Sequence, residues 1–75
     1  MSYVEDVAND LAARALAEAE RTGNEKIVDQ VSEILGASSQ TLQESYLTFV
    51  RVRRAEARAR ALLDSLAAGA ARSQP

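Results

Sequence analysis

The chain has 75 residues, no cysteine, no histidine and a formal net charge of −2. So short a chain forms one small domain with little core, and without Cys or His it has neither a disulfide nor a zinc cluster to stabilise it. The usual general base and the thiol nucleophile are missing too, so we expect no enzyme, no catalytic or metal site and no cofactor.

The first predicted helix covers residues 3–22. Ser2 and Glu5 have the spacing of a capping box, in which the serine hydroxyl accepts from an amide of the first turn. Gly23 suits the left-handed position that follows a helix. Between them the apolar residues recur every three or four positions, which predicts an amphipathic helix. This stripe consists of Val4, Val7, Ala8, Leu11, Ala12, Ala15 and Ala19.

The second predicted helix covers residues 25–35, with Asn24 as its N-cap and Gly36 as its left-handed end. Its apolar residues follow the helical period and are Ile27, Val28, Val31, Ile34 and Leu35. Another face carries an acidic row, which consists of Glu25, Asp29 and Glu33. Carboxylates can bind Mg²⁺ or Ca²⁺, but we interpret this row as a solvated or salt-bridged surface.

The third predicted helix covers residues 39–68, with Ser38, Ser39 or Thr41 as its cap, and we expect residues 69–75 to fray. At 100° per residue this helix has two apolar faces. The first consists of Leu42, Tyr46, Phe49 and Val50. The second consists of Val52, Ala55, Ala59, Leu62 and Leu66. A helix with two apolar faces usually packs on its own chain and on something else, so we predict self-association through the second face.

The charges are divided unequally along the chain. Residues 1–44 carry a net charge of −6 and residues 45–75 a net charge of +4. Arg51, Arg54 and Arg58 form a basic stripe on the third helix, and this stripe fits a phosphate or an acidic protein partner. The alternative is that the stripe pairs with the acidic row of the second helix, in the same hairpin or in a neighbouring chain.

Two further arginines have acidic neighbours on the same helix. Glu56 lies three residues after Arg53 and four before Arg60, and Asp64 lies four residues after Arg60. These spacings place the charges on one side of the helix, so we predict that Arg53 and Arg60 pair locally.

Residues 28–46 resemble a helix-turn-helix DNA-binding motif. The positions that match the motif are Ser32, Gly36, Ser38 and Leu42. The resemblance implies that the next helix reads the major groove of DNA, with Ser39, Gln40, Gln43 and Glu44 as the reading residues. A short chain that joins such a motif to a long assembling helix has a layout similar to the small subunit of a phage-type terminase, which recognises DNA and recruits the packaging motor.

The sequence therefore predicts an all-α, three-helix domain over residues 1–68, whose long third helix is used for oligomerisation. Alanine supplies 15 residues, and Val, Ile, Leu and Phe together only 17, so the core is thin and oligomerisation is the remaining way to stabilise it. We expect a non-enzymatic adaptor or regulatory protein that acts as a homo-oligomer, with a larger protein or DNA as further candidate partners. The alternative is a DNA-associated helix-turn-helix protein that serves DNA packaging or transcription.

The sequence also bears on location and origin. No apolar run is long enough to span a bilayer, and the first residues lack the features of a signal peptide, so we expect no membrane partner and a cytoplasmic location. Eight of the nine basic residues are arginine. Together with the abundant alanine, this suggests GC-rich codon use and hence a bacterium or a phage.

Overall fold

The fold consists of three α-helices joined by two short connections. The computed structural model describes the backbone of residues 2–73 and the side chains of residues 2–69. Helix α1 spans Tyr3–Thr22, α2 spans Lys26–Ser38 and α3 spans Gln40–Ser73, with no strand between residues 2 and 73. The predicted all-α, three-helix fold is confirmed.

Local hydrogen bonds set both ends of α1 as the sequence predicts, whereas α2 begins at Lys26 with Glu25 as its N-cap residue, one position later than predicted. The Ser2 hydroxyl accepts from the amide of Glu5 at 3.1 Å, and Gly23 follows α1 in the left-handed conformation, with φ 71°. The Asn24 side-chain oxygen then accepts from the amide of Lys26 at 3.0 Å. These groups satisfy amides and carbonyls that helix ends leave without a partner.

The connection between α2 and α3 differs from the prediction. We expected Gly36 to end α2 in a left-handed conformation, but α2 continues to Ser38, and Gly36 lies inside the helix with a negative φ. Ser39 alone separates the two helices, in an extended conformation. Its hydroxyl caps α3 by accepting from the amide of Leu42 at 3.1 Å.

The reason for a glycine inside α2 is close packing rather than a turn. The side-chain amide of Gln43 lies over Gly36, with its carbon 2.8 Å from the place that a Cβ would occupy. Any larger residue at position 36 would push this side chain away. Gly36 is therefore needed for the approach of another side chain, which is a second common use of glycine.

Helix α3 is also longer than predicted. The prediction ended it at residue 68, whereas the helix continues through Gly69 to Ser73. A glycine inside a helix costs only about 1 kcal/mol relative to alanine, and here it lies among alanines, the best helix formers. The helix thus passes the predicted end at residue 68, and residues 74–75 of the predicted tail lie outside the described part of the chain.

The core lies where α1, α2 and the first part of α3 meet, and it is small. Its buried apolar residues are Ala8, Ala12, Ala15, Ala19, Val28, Tyr46 and Val50. They confirm that the four alanines of the predicted stripe on α1 point inwards, together with Tyr46 and Val50 of the first apolar face of α3, while Leu42 and Phe49 are partly buried. Ile34 belongs to the apolar row of α2 but is 69% exposed, because α2 turns Val28 and Ser32 inwards.

Helix α3 extends well beyond the other two helices. Tyr46 lies against Val28 and Arg54 against Glu25, so α2 and α3 are antiparallel. The radius of gyration is 16.1 Å, whereas a compact chain of this length has about 11 Å. The accessible surface of 5643 Å² exceeds the roughly 4,500 Å² expected for a folded chain of this mass. Residues 55–68 are exposed throughout.

Candidate functional site

The most prominent surface feature is an exposed apolar face on the second half of α3. The structure places all five residues of the predicted self-association set on the surface, and Leu62 and Leu66 are each 59% exposed. Leu63, 63% exposed, joins them although the sequence analysis missed it. We call this surface the outer face, and it consists of Val52, Ala55, Ala59, Leu62, Leu63 and Leu66.

The outer face points away from the rest of the molecule. Tyr46 and Val50 on the inner side of α3 are buried against α1 and α2. At 100° per residue, the middle of the outer face lies more than about 120° around the helix from these residues. Neither α1 nor α2 therefore covers the outer face.

The basic stripe of α3 is divided between paired and unpaired arginines. Arg54 donates to Glu25 of α2 at 3.2 Å, so one pair of the predicted contact between the two charged rows exists within the hairpin. Arg51 and Arg58 are exposed, and neither forms an ion pair with any of the side chains described here. These two arginines flank one edge of the outer face.

The other two arginines behave differently from each other. Arg60 pairs with Glu56 at 3.0 Å, which confirms the predicted local pair. Arg53 does not bond Glu56 as predicted. Its guanidinium donates twice to the side-chain oxygen of Asn9, at 3.0 and 2.7 Å. Both bonds reach the same oxygen of Asn9, and they bind α3 to α1.

Of the residues predicted to read DNA, some are exposed and others form hydrogen bonds within the chain. Gln40 and Glu44 are exposed at the start of α3, while Ser39 uses its hydroxyl as the helix cap. Gln43 points inwards, where its side-chain amide donates to the carbonyl of Ser32 at 3.0 Å and to the Ser32 hydroxyl at 3.3 Å. In this structure Gln43 thus connects α2 to α3.

Two further surface features of the described residues were compared with the predictions. Among them, no three acidic side chains lie close enough together to hold a metal ion. The clefts that they line are shallow and open to solvent. None of the described helices is long and apolar enough to cross a membrane.

Comparison of the chain with protein-family models, with curated proteins and with solved structures found no match.

Proposed function

We propose that this chain is a cytoplasmic, non-catalytic adaptor or regulatory protein that works as a homo-oligomer through the outer face of α3. The observation that carries the proposal is the row of exposed large apolar side chains, above all Leu62 and Leu66, on a stretch of α3 that neither α1 nor α2 covers. Contiguous apolar surface of this kind is typical of sites where proteins interact.

The size of the surface supports the same proposal. The chain exposes about 1,100 Å² more than a compact chain of its mass. A standard protein–protein interface buries about 800 Å² on each partner. The excess is therefore of the size that one stable contact removes from water.

The small size of the core also supports the proposal. Tyr46 is the one large side chain fully buried among the described residues, and four of the seven core residues are alanine. A chain this small with so little buried apolar surface depends on additional stabilisation. Burying the outer face between copies supplies it.

The test is the double variant Leu62→Glu with Leu66→Glu, which places two charges in the contact. The matched control is Ala61→Glu with Ala68→Glu, which adds the same charges to exposed positions of the same stretch but away from the outer face. Light scattering after size-exclusion chromatography should show a smaller mass for the first variant and an unchanged mass for the control. Equal masses for the wild type and both variants would contradict the proposal.

A second candidate function is association with DNA, as in a packaging or transcription regulator of a bacterium or phage. Arg51 and Arg58 support it, because they are exposed and have no carboxylate partner among the described side chains. Arg51→Ala with Arg58→Ala should then weaken gel shifts of random duplex DNA at low salt, while Arg21→Ala, whose parent pairs with Glu18, should not. Absence of any shift at roughly 10⁻⁴ M protein would leave the adaptor proposal alone.

A further inference from the structure

We infer that the outer faces of two copies meet in an antiparallel pair of α3 helices, centred between residues 59 and 62. This inference rests on the proposed function and adds the direction and register of the contact. It depends on the order of small and large residues along the outer face.

The residue sizes are complementary when one outer face is read against a second copy in reverse. Ala59 then lies opposite the partner's Leu62, and Ala55 lies opposite the partner's Leu66. Every such layer joins a small residue to a large one, so the two helix axes keep a constant separation. Interdigitated layers of this kind give the packing density of protein interiors.

A parallel pair in register does not pack as well. Each residue would then face its own copy, with two alanine layers at 55 and 59 followed by two leucine layers at 62 and 66. Helix axes lie about 8 to 10 Å apart depending on the side chains between them. The helices would have to diverge along seven residues or leave gaps at the alanines.

Ion pairs between the two copies would do little to offset the poorer packing of a parallel pair. In a parallel coiled coil, Arg51 would lie next to the partner's Glu56. Glu56, however, already accepts from Arg60 at 3.0 Å in its own chain, and exposed ion pairs contribute little to stability. In the antiparallel pair Arg58 lies beside the partner's Ser65, but position 51 lies at the level of the partner's position 72, and the sequence has arginine at both. The charges therefore do not favour the antiparallel pair. Side-chain packing therefore favours the antiparallel direction of the two α3 helices over the parallel one.

The antiparallel arrangement has a consequence for function. The bundle formed by α1, α2 and the first part of α3 is centred near residue 47 of α3. Reversal about residues 59 to 62 places the two bundles about 40 Å apart along the helix axis. The assembly is then a rod with an identical bundle at each end, which suits an adaptor that bridges two copies of one target.

The experiment is disulfide cross-linking, for which the cysteine-free chain gives a clean background. Ala55→Cys and Leu66→Cys chains are prepared separately, mixed, allowed to exchange and oxidised. In the antiparallel pair, position 55 faces position 66 of the partner, whereas two copies of position 55 lie about 16 Å apart. A disulfide requires Cα atoms within about 7 Å, so we expect about tenfold more cross-linked dimer in the mixture than in either variant alone.

A second pair of cysteine variants is also tested, because Leu66→Cys removes an apolar side chain and so weakens the contact between the two α3 helices. Val52→Cys mixed with Gly69→Cys keeps both leucines and places its cysteines opposite each other in the same register. Cross-linking of each single variant with itself would show a parallel pair and overturn the inference, while self-association would stand. A dimer that cross-links in neither way would overturn the register. A wild-type chain that stays monomeric would remove the proposed function itself.

Discussion

The hydroxyl of Tyr46 donates to the backbone carbonyl of Val28 at 2.8 Å, and this bond joins α3 to α2 inside the core. The two residues are 18 positions apart, and both are buried. A buried hydroxyl without a partner would be costly, so the bond fixes how far α2 can move along α3.

Removing this hydroxyl should therefore weaken the fold. Tyr46→Phe keeps the ring in the core but loses the bond to Val28, and we expect the free energy of unfolding to fall by about 1 kcal/mol. Tyr3→Phe is the matched control, because Tyr3 is 82% exposed. Urea unfolding followed by circular dichroism measures both. Equal unfolding midpoints for the two variants would show that the bond contributes nothing.

The same residue should give stability a dependence on alkaline pH. Burial raises the pKa of the Tyr46 hydroxyl above 10, and the nearby Asp29 carboxylate raises it further, while Arg54 acts in the opposite direction. The protonated form is thus favoured in the folded state. Stability from this group is complete below the pKa of the unfolded chain and is lost as pH rises through the folded pKa.

The expected result is a wild-type unfolding free energy that declines above about pH 10. Tyr46→Phe should remove that part of the decline, and Tyr3→Phe should leave it in place. Urea titrations at several pH values between neutral and strongly alkaline compare the three chains. An identical decline in wild type and Tyr46→Phe would assign the effect to other groups.

Two glycines should respond in opposite ways to the same substitution. Gly69→Ala has open space around it and should stabilise the helix by about 0.5–1 kcal/mol. Gly36→Ala would meet the Gln43 side chain and break its bonds to Ser32, so it should give no gain or a loss. In a Gln43→Ala background Gly36→Ala should regain the stabilisation seen at Gly69. Additive effects in this double-mutant cycle would contradict the packing that we describe.

Arg53 should contribute more to the free energy of unfolding than Arg58 on the same helix. Arg53→Ala removes two bonds to Asn9 and should lower the free energy of unfolding by about 1–2 kcal/mol, less than for a fully buried charged pair. Arg58→Ala, at an exposed position without an ion pair among the described residues, should change it by no more than about 0.5 kcal/mol. Thermal unfolding of the two variants compares them, and equal shifts would count against the Asn9 contact.

Features that depend on neighbours in sequence were predictable. The Ser2 cap, the left-handed Gly23 and the Glu56–Arg60 pair each involve residues no more than four apart. Gly36 was assigned wrongly because the residue that requires a glycine there is Gln43, which belongs to the next helix. The exposure of Ile34 was not predictable from nearby residues either, since it depends on how α2 is rotated against α3.

In the candidate site, too, features set by nearby residues were predictable, and contacts between distant residues were not. The helical period was enough to place Leu62 and Leu66 on one exposed face, because α3 is a continuous helix there. Leu63 was missed because it falls outside the 3-4 spacing, although a 100° period places it at the edge of the same face. The contact between Arg53 and Asn9 spans 44 positions, and nothing local in the sequence indicates it.

Sedimentation equilibrium of the unmodified chain tests most directly whether the outer face joins copies of this protein. We expect a mass about twice the 8.1 kDa of the chain at tens of micromolar, with a fall towards the chain mass on dilution as expected for a reversible contact. A mass that stays at 8.1 kDa across the whole concentration range would contradict the account.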